Sequence, residues 1–361
     1  MVAAAALDIL GLTGERFLEA AALSVGRGSG LAAEIYRRLF REGIFTPETH
    51  GLGAEAVAAF HANFRLTPLR VVRVAEEQTE AGITAKAVLA THDGYEIECV
   101  RIPMHGDDQT LCLSSQVGCR MGCGFCETAR LGLIRQLTAA EIVAQVFTAR
   151  FVLGWNPRNL VFMGMGEALD NADHLITALH VLTDKRAFHY SQERLTICTV
   201  GHAQGIARLA ALGWKRLNLS ISLNSGDDAI RSRLMPVNRK TPLAALQAIL
   251  AAYPQRRNFT LGVNYCLMPG LNDAPEDLDR IAVFCAPLGR VLINLIPYNP
   301  GNAPLTRAPS EDEIIAFVEG LRERGLPVRR RITKGRSIMA ACGQLGNAAL
   351  RAKKSQPAAA V

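Results

Sequence analysis

SSQVGCRMGCGFCETARLG, residues 114–132, sets three cysteines, Cys119, Cys123 and Cys126, at i, i+4 and i+7 in a glycine-bearing loop. Thiolates with this spacing can point at one centre, and soft sulfur ligands select zinc, copper(I) or iron-sulfur clusters. Three arrangements satisfy the spacing. A structural zinc site is normally closed by four ligands, and Cys112, seven positions upstream, is available as the fourth. An electron-transfer cluster also takes four cysteines. The third arrangement is a cluster left with one open iron, at which a substrate binds directly.

Outward from this loop, short β-rich runs alternate with helical segments. TLCLS, NLVFMGM, LTICTV, RLNLSISL, FTLGVNYCLM, VLINLIPYN and VRRRI read as strands, and TAAEIVAQVFTARFVLG, ADHLITALHVLTD, PLAALQAILAAY and SEDEIIAFVEGLRERG as helices. Strands separated by helices imply right-handed βαβ units and a parallel sheet, either doubly wound or rolled into a full or partial barrel. The first strand is followed by the cysteines and not by GxGxxG, which counts against a dinucleotide-binding fold. Polar and glycine-bearing stretches fall where each later strand ends: GMGEALDN, Cys198, SLNS, MPGLND and YNPGN. In a parallel barrel these ends form the active face, so an enzyme is expected over a scaffold.

Upstream, apolar residues from Leu18 to about Phe64 recur at helical spacing, as in LAAEIYRRLFREGI. Between Leu69 and Pro103 the pattern becomes alternation with turns at EAG and HDG, a short antiparallel meander. The expected organisation is an accessory region over 1–103, a barrel with a catalytic C-terminal segment over 104–350, and a flexible tail over 351–361.

Hydrophobic residues make up 49% of the 361 and charged residues 20%, which excludes a disordered chain and a disulfide-stapled miniprotein. MVAAAALDILGLTGERF lacks a basic start and is interrupted by Asp8, so no secretory signal is expected, and no run reaches membrane-spanning length. Nine cysteines, an odd count with three crowded together, suit reduced thiols in a cytosol, so the expected location is cytoplasmic. The net charge of +7 suits a polyanionic partner without requiring one, and the basic run VRRRITKGR taken alone reads as a solvated strand edge.

Cys-x3-Cys-x2-Cys with Phe125 before the last cysteine resembles the signature of the radical S-adenosylmethionine (SAM) enzymes. Beyond that, CLSSQVGCRMGCGFCETARLGLIRQL, FMGMGEALDN, LINLIPYNP and AACGQL resemble, in order, the hallmark segments of the RlmN/Cfr family of radical-SAM RNA methyltransferases. The resemblance implies an α/β fold, a partial (β/α) barrel of radical-SAM type with a small N-terminal helical and β accessory region. It implies a [4Fe-4S] cluster on Cys119, Cys123 and Cys126, two SAM molecules per turnover, and an electron donor such as flavodoxin or ferredoxin. It also implies a monomer acting on an adenosine of 23S ribosomal RNA or, for some members, of tRNA, at ring carbon 2 or carbon 8. GEALDN is slightly closer to the carbon-8 type.

The same resemblance gives roles to residues that would otherwise read blandly. Cys342 matches the cysteine that is methylated first and then gives up a hydrogen to the radical, so that its carbon adds to the base. Cys112 matches the thiol that releases the product by attacking the Cys342 sulfur, with a disulfide as the result, and Glu98 matches the general base that takes the ring proton. Without the matched contexts the two thiols would pass as small buried hydrophobes and Glu98 as an exposed strand charge. Gly166, Glu167, Cys198, Ser222, Leu223, Asn224 and Asn299 match the SAM contacts, with Cys198 where serine is usual and Asn224 where histidine is usual. KGRSIMAACGQL has Ser337 and Met339 where the family usually carries acidic residues, which leaves the target nucleotide open.

Overall fold

The computed structural model describes residues 6–26, 28–80, 82–254 and 256–346. The expected tail at 351–361 lies outside the described residues. β1 (Leu7–Asp8) pairs in parallel with β2 (Phe64–Arg65) and ties together the ends of a unit made of α1 (Gly14–Ser24), α2 (Ala32–Glu42) and α3 (Ala54–Asn63). Its centre is aromatic: the rings of Phe17 and Tyr36 lie 5.3 Å apart and those of Phe17 and Phe64 4.7 Å apart. Gly43 stops α2 at φ 74°, where a Cβ would run into the Phe151 ring.

β3 (Arg70–Thr79), β4 (Gly82–Ala90) and β5 (Glu96–Pro103) form the expected antiparallel meander. β5 then pairs with β6 (Gln109–Cys112), Val100 opposite Cys112, so the meander is hydrogen-bonded into the main sheet. The sequence reads 114–132 as a loop, but the structure gives it a framework of its own. β7 (Gln116–Cys119) and β8 (Gly132–Gln136) pair antiparallel around α4 (Glu127–Arg130). The close approach at its base needs glycine, since Gly118 has φ 76° and a Cβ there would lie 1.9 Å from the Gly132 carbonyl oxygen.

The remaining elements alternate as the periodicity predicts: α5 (Ala139–Phe147), β9 (Asn159–Phe162), α6 (Ala172–Thr183), β10 (Leu195–Thr199), α7 (Ala203–Ala211), β11 (Asn218–Ser222), α8 (Asp228–Leu234), α9 (Leu243–Ala251), β12 (Leu261–Leu267), α10 (Pro275–Cys285), β13 (Val291–Pro297), α11 (Glu311–Glu323) and β14 (Val328–Arg330). Capping boxes at Thr138/Glu141 and Ser310/Glu313 start α5 and α11. The sheet order is β14-β13-β12-β11-β10-β9-β6-β5-β4-β3, parallel from β6 through β14. Its two edges do not pair with each other, which makes the barrel partial. Leu160, Ile197, Leu219, Val263 and Ile293 fill the layer between sheet and helices and are almost wholly buried. Among the described residues no helix is long and apolar enough to cross a membrane.

Candidate active site

The carboxyl ends of the parallel strands open onto a cavity of about 150 Å³. Cys119, Cys123 and Cys126 line it together, along with Phe125, Gly166, Glu167, Cys198, Ser222, Asn224 and Cys342. The cysteine loop is held from below by α8 and the turn after it. Gly124 N–H donates to the Leu234 carbonyl at 3.0 Å, and Cys119, Met121 and Cys123 pack with Leu234, Met235 and Tyr298. Burial pushes the Cys119 thiol up to about 12 and that of Cys123 well above its ordinary value. A metal bound by either thiol would therefore displace its proton.

Thr128 and Glu127, next to Cys126, reach the chain terminus that carries Cys342. Glu127 N–H donates to the Gly343 carbonyl at 2.8 Å and the Thr128 hydroxyl to the Leu345 carbonyl at 2.5 Å. From the opposite side, Gly346 N–H donates to Glu98 Oε2 at 2.8 Å, and Lys86 Nζ lies 3.2 Å from Glu98 Oε1 and 3.0 Å from the Met339 carbonyl. Glu77 of β3 accepts from the N–H groups of Gly335, at 2.6 Å, and Ser337, at 2.8 Å. A carboxylate from the meander thus stands against the segment where Ser337 and Met339 replace acidic residues. Cys342 has accessible surface inside the cavity, while the surrounding protein still raises its thiol, opposed by the Arg331 charge.

Cys112 lies beneath, buried and outside the cavity lining, and its thiol is raised by burial and by the neighbouring Cys342, Cys198 and Cys99. Cys112 is absent from the cavity wall that Cys119, Cys123 and Cys126 share, so it does not complete a four-thiolate set there. Among the described residues no three His, Cys, Asp or Glu side chains are arranged to hold a single metal ion. Three thiols spread round one cavity fit a cluster that takes each ligand on a different iron.

Glu167 is set at the opposite wall by the loop after β9. Gly166 has φ 101°, and a Cβ there would also clash with Gln116, whose Oε1 accepts from Glu167 N–H at 2.8 Å. The Glu167 carboxylate accepts from Leu169 N–H at 3.2 Å and Val200 N–H at 2.9 Å. Burial pushes it up to about 7 even though these bonds and that of Thr199 pull the other way. Cys198, at the end of β10, is likewise pushed up to about 12 by burial.

The Radical SAM superfamily pattern matches residues 113–285, from the end of β6 through α10. A probable dual-specificity RNA methyltransferase RlmN of Protochlamydia amoebophila is 39% identical over 351 residues, 96% of this chain and 96% of that protein. The dual-specificity RNA methyltransferase RlmN of Syntrophotalea carbinolica is 40% identical over 76% of this chain and 74% of its own. A radical SAM methyltransferase structure from Sphaerobacter thermophilus superposes with a TM-score of 0.85 at 34% identity, covering 95% of this chain and 99% of that one. The chain belongs to the RlmN/Cfr family. That membership implies a [4Fe-4S] cluster and SAM, and displaces a non-catalytic zinc protein.

Set against the residues that match the RlmN/Cfr family pattern, the cavity gathers most and omits some. Asn224 lines it in a left-handed conformation, φ 58°, which asparagine tolerates better than most residues. Its side chain is committed to the fold, with Oδ1 accepting from Cys266 N–H at 2.8 Å and Nδ2 reaching Met235 Sδ at 3.1 Å. The Leu223 side chain is fully buried and Asn299 is buried beside Tyr298, both outside the lining. Glu98 is also outside it, 2% exposed beneath the terminal segment.

The sequence reading misses Asn264. It is buried at 2% exposure and lines the cavity, with Oδ1 accepting from Asn294 Nδ2 at 3.1 Å while its amide lies beside the Cys198 thiol and pulls it down against burial. The available signal is a single amide side chain inside the apolar run LGVNYCL.

Proposed function

We propose that this protein methylates a ring carbon, carbon 2 or carbon 8, of an adenosine in RNA through an S-methyl intermediate on Cys342. The substrate class is 23S ribosomal RNA, with tRNA as a second substrate, as the family resemblance and the relatives' RNA methyltransferase names suggest. The observation that carries the proposal is that Cys342, far from the cysteine loop in sequence, lines the same cavity as Cys119, Cys123 and Cys126. When bound, the [4Fe-4S] cluster and two SAM molecules per turnover supply the electron relay, the hydrogen-abstracting group and the methyl group.

The chain's own residues do the rest. Cys119, Cys123 and Cys126 hold the cluster, and Gly166, Glu167, Cys198, Ser222, Leu223, Asn224 and Asn299 surround SAM, Leu223 through its backbone. Cys342 carries the methyl carbon. Cys112, close enough for its charge to act on Cys342, attacks the Cys342 sulfur to release the base. All nine cysteines are free in the structure, so this disulfide would be a product of turnover. Glu98 accepts the ring proton. Its present contacts with Lys86 and Gly346 require the terminal segment to shift before it meets a base. The electron donor is expected to be a flavodoxin or ferredoxin and the working form a monomer.

The decisive experiment maps methylated adenosines in RNA from cells with and without the gene. A site lost with the gene and restored by it supports the proposal and names the carbon; no difference at any adenosine overturns it. Anaerobic reconstitution tests the metal independently. Iron should fill the wild-type protein and be lost when Cys119, Cys123 or Cys126 is replaced singly by alanine, and a colourless zinc-loaded protein would refute the cluster assignment.

A further inference from the structure

Within the cysteine loop, Cys119, Met121 and Cys123 are buried, while Arg120 and Gly122 between them are exposed. A cluster on these thiols would have little protein between it and solvent along this flank. The other flank of the loop is closed by the chain segment that carries Cys342. Besides its bonds with Glu127 and Thr128, a Cβ on Gly343 would lie 3.3 Å from the Phe125 carbonyl oxygen. The thiol that RNA is proposed to reach therefore belongs to the covered flank, and the exposed flank is left for a different partner.

Cations border the exposed flank. Arg120 pairs with Asp170, whose side chain is buried, and His202 Nε2 lies 3.5 Å from the same carboxylate. On the other side stands the turn after α8. A Cβ on Gly122 would lie 3.5 Å from Pro236 Cγ, and Val237 packs against the group of side chains that includes Cys119, Met121 and Cys123. Arg239 and Lys240 follow in the same tight turn, where the Asn238 and Lys240 N–H groups donate to the Met235 and Val237 carbonyls, each at 3.0 Å. Both side chains are exposed, and among the described residues neither has an acidic partner.

We infer that this face, Arg120 and Gly122 together with Arg239 and Lys240, is where an acidic one-electron carrier protein docks to reduce the cluster. The inference rests on the proposed cluster-binding role of Cys119, Cys123 and Cys126. One electron leaves the carrier and enters the cluster, so the carrier is oxidised as the cluster is reduced and no bond forms or breaks. Electron transfer slows steeply with distance, which calls for a docking face beside the ligand loop. Complementary charge steers a short-lived encounter to such a face without a large apolar interface. RNA is also a polyanion, but the thiol proposed to meet its base sits on the other flank.

Charge reversal at Arg239 and Lys240 tests the face without touching a ligand. In anaerobically reconstituted protein, combining Arg239→Glu with Lys240→Glu should slow cluster reduction by reduced ferredoxin or flavodoxin about tenfold at low salt, and most of the salt dependence should go. Reduction by photoreduced deazariboflavin, a small molecule with no docking face, should be unchanged. Cluster-free protein should show the same loss in biolayer interferometry against the oxidised carrier, with RNA affinity kept. Carrier-driven reduction at the wild-type rate overturns the inference, as does an equal fall with deazariboflavin. Any loss of RNA affinity also overturns it and would give the face to RNA. So would a wild-type cluster that neither carrier reduces count against it. If the reversed protein does not hold a cluster, Arg239→Gln with Lys240→Gln decides by the same comparison, with a smaller fall expected. Failure of the wild-type protein itself to take up iron would refute the cluster reading instead.

Discussion

With its carboxyl group pushed up to about 7 by burial, Glu167 changes charge within the range where the protein works. The folded value lies above the ordinary 4.5, so folding takes up a proton between the two values. This group therefore penalises the cofactor-free fold above about pH 7, and the penalty fades as pH falls toward 4.5, an effect of about 3 kcal/mol at most. Urea unfolding of cofactor-free protein should show stability rising from pH 8 to pH 6 through this residue, and Glu167→Gln should flatten that rise. A slope unchanged by Glu167→Gln would show that the carboxyl is ionised throughout. Binding of a cationic amine would reverse the preference, holding the carboxylate charged.

The two thiols that are not expected to hold the cluster should fail in opposite ways. Cys342→Ala removes the methyl carrier, so neither product nor protein-RNA adduct should form. Cys112→Ala should keep iron and Cys342 methylation and trap a covalent protein-RNA species, visible on a denaturing gel and sensitive to ribonuclease. Burial raises Cys112 well above the ordinary thiol value, so its competent thiolate is scarce at neutral pH. In the wild-type protein, release should accelerate about tenfold per pH unit while pH stays below that value. Normal turnover by Cys112→Ala would remove the resolving thiol from the mechanism.

At the scale of elements, β4 and β5 do more than extend the sheet, because Lys86 and Glu98 hold the segment that carries Cys342. Both side chains are nearly buried, so Lys86→Met would leave the Glu98 carboxylate unpaired, at a cost of about 3 kcal/mol or more. Thermal unfolding should show this loss, and adding Glu98→Gln should recover a large part of it. A double variant whose loss equals the sum of the Lys86→Met and Glu98→Gln losses would mean that the pair is not coupled. These elements also show what can be read from sequence. The alternation of 69–103 gives the meander, and the strand and helix periods give the parallel sheet, because each pattern directly reflects one buried face. The β7–β8 pair is invisible to periodicity, since its register depends on Gly118 meeting Gly132 across the loop. Cys112, Cys342 and Glu98 are legible only through their matched motifs, because their meeting depends on contacts over hundreds of residues. Asn264 is legible to neither approach beyond its odd polarity within a strand.

For the molecule as a whole, the net charge of +7 gains meaning from where its cations stand. Arg329, Arg331 and Arg336 are exposed on the segment running from β14 to Cys342, and the charge of Arg331 reaches that thiol. If they meet phosphates, replacing all three with alanine should weaken RNA binding and reduce the dependence of log affinity on log salt by about two to three. A filter-binding salt series with an unchanged slope would place the RNA elsewhere. The same segment and Gly346 just after it are tied to Glu77 and Glu98 across 258 and 248 residues of sequence, so its docking waits for all the chain between. Protein synthesis is directional, so the three-cysteine loop leaves the ribosome more than two hundred residues before Cys342, the proposed methyl carrier. A message cut short between codons 126 and 342 still encodes the three-cysteine loop but not Cys342, so under the proposed mechanism its product has no residue to carry the methyl group to RNA.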